Sequence, residues 1–240
     1  MTDLDLLDLE GRTLYVLTPE GRIARENDPD RSAGPQFWLA GCKSGTVARL
    51  HRNLAPDIAA EIEALAAREP PFDEPGALPR FIADYERLLP GATLSRELVH
   101  ELPHGLAVES AAKLISSRSE EGARFVADIA KHGMPENLAA LRMRVPEDLW
   151  APWVMLMVDG EVASTAFAAR LSDAGAELGL ATVPKFRGRG LARLVTAAWS
   201  NLPELKTRRL FYGADHDNLA SQRVIAQLGL RRIGVSIRLT

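Results

Sequence analysis

From residue 153 to residue 239 short apolar runs, turn formers and amphipathic stretches follow one another in an order that few folds accept. "WVMLMVDGEVASTAFAAR" holds two apolar runs joined by Asp159-Gly160, a dipeptide suited to the positive φ angles of a type I′ turn, and predicts a β-hairpin. "AELGLATV" at 176–183 predicts another strand, "GLARLVTAAW" at 190–199 a helix, and "RRLFYGA" a strand. "NLASQRVIAQLG" then predicts a helix and "RRIGVSIRL" a closing strand. A hairpin followed by β-α-β-α-β implies an α/β domain with a partly antiparallel sheet.

Upstream the pattern is less regular. "TLYVLT" at 13–18 and "FWLAG" read as strand-like, separated by "PEGRIARENDPDRSAGPQ", rich in turn formers and charge. "NLAPDIAAEIEALAARE" at 53–69 predicts a helix with Leu54, Ile58, Ile62 and Leu65 on one stripe, ended by "PPFDEPGALP", and "RFIADYERLLPG" predicts a short helix. "VESAAKLISSR" and "SEEGARFVADIAKHG" also read as helices, the second stopped by Gly133. The expected division is an N-terminal α+β region over 1–92 and a second domain over 93–240.

A chain of 240 residues with 46% hydrophobic and 25% charged residues can bury a sizeable core. Cys42 is the only cysteine, so an intramolecular disulfide and a cysteine metal cluster are excluded, and a reducing compartment is the expectation. His51, His100, His104 and His132 show no metal-binding spacing, so no metal is expected, and Trp38, Trp150, Trp153 and Trp199 read as core or interface aromatics. The first residues lack the pattern of a signal peptide, and no run approaches the roughly 18 to 20 apolar residues of a membrane span. A cytoplasmic protein without a membrane partner is therefore expected.

The net charge of -3 is unevenly spread: residues 185–240 carry +8 and residues 1–184 carry -11. A local positive field attracts an anionic ligand whatever the total. "PKFRGRG" at 184–190 sits between an expected strand and an expected helix, where first-turn N–H groups are unpaired and glycines let the chain curl close to a phosphate. Arg187 and Arg189 would add charge-assisted hydrogen bonds. The same seven residues also fit a solvated basic turn. Nucleic acid is another anion, but no interleaving of aromatic and basic residues supports it, and no nucleic-acid partner is expected.

Residues 176–192, "AELGLATVPKFRGRGLA", resemble the acetyl-coenzyme A motif of the GCN5-related N-acetyltransferases (GNAT), whose [QR]-x-x-G-x-[GA] pattern is met by Arg187, Gly190 and Ala192. "NLASQRVIAQLGL" at 218–230 resembles the last helix of that fold, with Asn218, Ser221 and Gly229 in register. The resemblance covers roughly residues 95–240. It implies a central mixed, mostly antiparallel sheet flanked by helices, with residues 1–92 as an N-terminal α+β extension. That extension stays open between a wall of the amine pocket, a partner surface and a degenerate second copy of the fold.

The resemblance also implies acetyl-CoA as acyl donor and direct attack on its thioester by a primary amine of a small molecule or peptide. It places coenzyme A against Thr182 and Val183, the latter offering its backbone to the pantetheine. The loop of Lys185, Phe186, Arg187, Gly188, Arg189, Gly190, Leu191 and Ala192 would hold the pyrophosphate, with Asn218 and Ser221 close by. Whether the donor is acetyl or a longer acyl, and whether the protein is a monomer or a homodimer, stays open. The alternative is a catalytically inactive acyl-CoA sensor or interaction protein.

An ammonium with a pKa near 10 must lose a proton before it attacks. The resemblance favours Glu177 as base, with His216 and Asp215 as alternatives in the loop after a strand. Where many members of the family carry a proton-donating tyrosine this chain has Ile225, which donates nothing. Ser221, Tyr212 or water is then left to protonate the departing thiolate. The acidic residues 1–184 lead to the expectation of an acidic amine entrance and a cationic acceptor.

Overall fold

The computed structural model describes residues 1–107 and 113–240. Helix α1 (Asp3–Leu14) opens the chain with a capping box: the Asp5 N–H donates to Thr2 Oγ1 at 3.2 Å and the Thr2 N–H to Asp5 Oδ2 at 2.8 Å. Its buried stripe is Leu6, Leu7, Glu10 and Leu14, so a carboxylate stands in the row that should be apolar. Strands β1 (Tyr15–Leu17) and β2 (Ile23–Glu26) form a small antiparallel pair. They are followed by β3 (Phe37–Cys42), β4 (Gly45–Leu50), helices α2 (Pro56–Ala66) and α3 (Ile82–Leu88), and β5 (Leu94–Leu102).

Next come β6 (Lys113–Ser116), α4 (Glu120–His132), the single turn α5 (Glu136–Ala139), β7 (Trp153–Val158), β8 (Glu161–Leu171) and β9 (Gly175–Thr182). The chain ends with α6 (Leu191–Ser200), β10 (Arg209–Asp215), α7 (Leu219–Leu228) and β11 (Arg231–Leu239). The β7–β8 turn has φ 51° at Asp159 and 82° at Gly160, as its dipeptide dictates.

Nine strands make one sheet in the order β4-β3-β11-β5-β10-β9-β8-β7-β6. Its ladders among the described residues are antiparallel except β9 against β10. The mixed, mostly antiparallel sheet flanked by helices, with an N-terminal helix and strand extension, is the architecture expected from the motifs. Strand β5 lies between β10 and β11, and β3 and β4 extend the sheet beyond β11, so strands on both sides of residue 92 share one sheet.

One face packs α6 and α7 on the middle strands through Val195, Trp199 and Ile225 against Leu178, Leu210 and Tyr212. At the end of that face, Ile62, Tyr85 and Leu88 of α2 and α3 cover Phe37, Leu39 and Ile237. The opposite face carries α1, whose Leu6, Leu7 and Leu14 meet Trp38, Val99, Phe211 and Ile233. Beyond it, Ile129 and Leu138 cover Ile115, Trp153 and Met155.

Three local readings are corrected. Residues 113–116 of the expected helix "VESAAKLISSR" are strand β6, paired with β7 from Lys113↔Met157 to Ser116↔Val154; positions 108–112 of that stretch lie outside the described residues. The free edge of β7 outweighs the modest helix propensity of a short Ala/Ser/Lys segment. Helix α1 takes Thr13 and Leu14 from the expected strand start, and β2 lies inside the stretch read as turns.

Because β11 takes its outer partner from β3, and α1 covers the middle of the sheet, a chain beginning at residue 93 should not fold cooperatively. Thermal and urea unfolding of that fragment, followed by near-UV circular dichroism, should show no sharp transition. A cooperative melt with native-like signal would contradict it.

Candidate active site

Parallel pairing between β9 and β10 lasts for three residues, Gly175↔Arg209, Ala176↔Leu210 and Glu177↔Phe211. Beyond that point β9 stays paired only with β8, up to Thr182, and β10 only with β5, up to Asp215. The two strands part into a notch whose vertex is Glu177. Backbone groups along its edges lose their ladder partners and call for a ligand to replace them.

The residues of β9 alternate in the side to which their backbone groups point. The Val183 N–H donates to Ala163 O at 3.0 Å and its carbonyl accepts from the Phe186 N–H at 2.9 Å, so Val183 is engaged within the chain. The alternation turns Leu178, Leu180 and Thr182 toward the notch instead. The backbone available to an extended ligand is therefore that of Leu178 and Leu180, the latter three positions before the expected Val183. Thr182 is partly committed, because its carbonyl accepts from Arg187 Nε at 3.2 Å and its hydroxyl lies 2.9 Å from Ser164 Oγ.

At the mouth of the notch Pro184–Phe186 form a 3-10 turn, Phe186 is buried, and Gly188 and Gly190 take φ 77° and 73°. Gly190 caps α6 in the left-handed conformation with no side-chain cap, so the first N–H groups of α6, from Leu191 and Ala192 on, receive no acceptor there. A β-carbon at Gly188 or Gly190 would meet nothing within 4 Å, which leaves open space over those amides. This arrangement fits a diphosphate. Lys185 is tied to Glu161 at 2.5 Å, and Arg189 lies 5.3 Å from the centre of the Phe186 ring, so Arg187 and Arg189 are the cations least engaged by carboxylates in this loop.

Asn218 caps α7 by accepting the Ser221 N–H at 3.1 Å on Oδ1. Beside Ser221 is the buried hydroxyl of Tyr212, which closes no hydrogen bond among the described residues. Burial pushes its pKa up, and the Ser221 side chain opposes that rise. His100 stands across the ladder from Tyr212, its imidazole held below its ordinary value of 6.5 by burial and hence neutral at pH 7. Ile225 is buried in the core beneath.

Glu177 is 8% exposed and points at Gly213: a β-carbon there would lie 3.0 Å from Glu177 Oε1 and 3.4 Å from Glu97 Oε2. Burial raises its pKa to about 7, with Arg238 opposing and Glu97 reinforcing the shift. Such a carboxyl suits proton uptake near neutral pH. His216 is elsewhere: it pairs with Asp217 at 3.0 Å, and its ring faces Gly76 of the loop between α2 and α3. It follows the Glu177 partner Phe211 by five positions, roughly 16 Å along a strand, so the two candidate bases do not meet one substrate atom. Asp215 accepts the Asp217 N–H at 2.8 Å in the same turn.

Two participants escaped the sequence. Glu97 of β5 and Glu10 of α1 join Glu177 from outside the recognised motifs. The signal for Glu10 was its place in the apolar stripe of α1.

The sequence matches the acetyltransferase (GNAT) domain family over residues 84–231. No curated protein matches it significantly. Among solved structures, a GNAT-family acetyltransferase from Colwellia psychrerythraea is 16% identical with a TM-score of 0.43, over 80% of this chain and 75% of its own. A GCN5-related N-acetyltransferase-like protein from Streptococcus suis is 16% identical with a TM-score of 0.46, over 86% and 85%. A GCN5-related N-acetyltransferase from Kribbella flavida is 20% identical with a TM-score of 0.44, over 67% of this chain and 63% of its own, less than two thirds of that protein. The family assignment rests on the domain match. Among the described residues no helix is long and apolar enough to cross a membrane, and no group of three or more His, Cys, Asp or Glu side chains is arranged to hold a metal.

Because the folded-state pKa of Glu177 exceeds its ordinary 4.5, the native state holds its proton more tightly than the unfolded chain. Stability is lost as pH rises from about 4.5 to about 7, where the buried carboxyl ionises. Glu177→Gln should therefore gain stability relative to wild type, and by more at pH 8 than at pH 5. Urea unfolding at both pH values measures this; equal differences would show that Glu177 is not a raised, buried acid.

Proposed function

The chain belongs to the GNAT acetyltransferase family, enzymes of acetyl-CoA-dependent acetyl transfer, and from that premise we propose that it acetylates a primary amine with Glu177 as base. The observation that carries the reading is the position of Glu177: a buried carboxyl with a pKa of about 7 at the vertex where β9 and β10 part. Bound acetyl-CoA supplies an acyl carbon activated as a thioester.

The chain's own groups do the rest. The N–H groups at the start of α6, with Arg187 and Arg189, hold the diphosphate, and the backbone of Leu178 and Leu180 aligns the extended arm along the notch. Glu177 takes a proton from the incoming ammonium, directly or through one water, and leaves a neutral amine facing the carbonyl carbon. The C–N bond forms as the C–S bond breaks, and the acylated nitrogen sheds its second proton through water, which restores the one that goes to sulfur. The Tyr212 hydroxyl, with Ser221 beside it, supplies the proton to the departing sulfur, in place of a donor at Ile225.

Calorimetric titration with acetyl-CoA and detection of free thiol with an amine panel test the reading together. Gly190→Glu should weaken acetyl-CoA binding by on the order of a hundredfold, since it sets a carboxylate against the diphosphate. Gly190→Asn, which tolerates the left-handed conformation, should bind within about threefold of wild type. Saturable binding without turnover on any amine would leave an acyl-CoA sensor; wild-type affinity in Gly190→Glu would remove the cradle. Tyr212→Phe should lower kcat with little change in acetyl-CoA affinity, and an unchanged kcat would return the acid role to Ser221 or solvent.

A further inference from the structure

Phe211 is the last residue of β10 that pairs with β9, and its partner is Glu177. Side chains alternate along a strand, so the next position of β10 on the face of Glu177 is Gly213, just past the vertex of the notch. Gly213 does not take a positive φ, so its backbone conformation does not call for a glycine. A glycine inside a strand weakens it, and it often marks a place where a ligand comes close. The three heavy atoms nearest to where its β-carbon would stand all belong to two carboxyl groups. They are Glu177 Oε1 at 3.0 Å, Glu97 Oε2 at 3.4 Å and Glu97 Cδ at 3.8 Å. Gly213 and Glu97 are both half-buried, so this position keeps contact with solvent at the edge of the notch.

The two carboxyl groups differ in their surroundings. Glu177 is buried, whereas Glu97 accepts a hydrogen bond from Arg238 Nη2 at 2.9 Å and its side chain is 21% exposed. Two neighbouring acids in unlike environments can divide the work of acid-base chemistry between them. The other carboxylates near Glu177 are placed differently: Glu10 is fully buried on α1, and Glu26 is engaged with Arg170 Nε at 2.8 Å. Glu97 is brought to the vertex by the insertion of β5, which pairs it with Asp215, the next residue of that face of β10.

We propose that Glu97 is the second carboxylate of the acceptor site: it accepts one N–H of the incoming amine in the space that Gly213 leaves free, and holds the nitrogen there while Glu177 takes its proton. The assignment rests on the acetyltransferase reading and deepens it. A primary ammonium has three N–H donors, enough for one to reach each carboxyl group. Once Glu177 has removed a proton, Glu97 keeps its hold on a remaining N–H while the freed lone pair turns to the thioester carbon. Fixing the nitrogen beside the notch lowers the entropic cost of attack. Glu97 takes no proton itself. The balance of the transfer is unchanged: one proton goes to Glu177, the second leaves through water, and one reaches sulfur.

The test uses the full chain, steady-state kinetics on a panel of alkylamines, arylalkylamines, amino sugars and short peptides with free N-termini, and calorimetry for acetyl-CoA. For the best acceptor, Glu97→Gln should raise the amine KM by on the order of tenfold, the scale of a charge-assisted hydrogen bond, and change kcat and acetyl-CoA affinity by less than about threefold. Gly213→Ala puts a methyl group into the seat of the nitrogen and should lower kcat/KM for the amine by on the order of a hundredfold, with acetyl-CoA affinity held. An unchanged amine KM in Glu97→Gln would overturn the contact, even if the pH profile moved, since such a shift alone reports the charge of Glu97 acting on Glu177. A Gly213→Ala protein that loses thermal stability but keeps kcat/KM would show that the glycine serves packing, and would overturn the seat. Either result leaves acetyl transfer by Glu177 standing. If Glu97→Gln does not fold, Gly213→Ala decides alone. No acetyl-CoA binding, or binding without transfer to any amine of the panel, would overturn the acetyltransferase reading and this assignment with it.

Discussion

The site depends on the ladder between β9 and β10 stopping after three pairs. Two parallel strands that stay in register leave no room between them; two that part expose backbone donors and acceptors along both edges. Each strand is held open by its outer partner: β8 follows β9 to Thr182, and β5 follows β10 to Asp215. The glycine turn and the start of α6 sit where β9 ends, so one defect in one ladder aligns an extended slot with an anion cradle.

The vertex also fixes the electrostatics. Glu177 pairs with Phe211 on one side and Arg170 on the other, so its carboxyl is held on the α1 face, away from solvent. There α1 brings Glu10 and the inserted strand β5 brings Glu97. Burial and neighbouring carboxylates raise the proton affinity of Glu177, while Arg238 and Arg170 limit the rise, and the outcome is a group that titrates near neutrality. The N-terminal residues thus complete the polar surroundings of the base as well as extending the sheet.

The C-terminal half was legible because its signals are local. Asp159-Gly160, the left-handed glycines of "PKFRGRG", Gly133 and Asn218 each act on neighbouring residues, and the elements they bound appear where the sequence put them. Strand β5 was not legible. "LSRELVHEL" places Glu97 and Glu101 on the α1 face and Arg96 and His100 on the other, and polar residues on both faces erase the alternation that marks a half-buried strand. Its insertion between β10 and β11 is a long-range pairing with no local trace. Glu10 was hidden for the same reason, as a buried charge reads like an interruption in an apolar stripe. Tyr212 and Ser221 were visible as candidate donors, but their proximity follows only from packing α7 on β10.

The dependence of kcat on pH, with a saturating amine, tests the central claim most directly. If Glu177 is the base, activity should rise with pH through an apparent pKa of about 7. Glu177→Gln should lower kcat by about 10² to 10⁴ and abolish that limb. A wild-type profile flat from pH 5.5 to pH 8.5, taken on the order of 1.5 units to each side of that value, or a Glu177→Gln profile that keeps the limb at undiminished rate, would contradict the account.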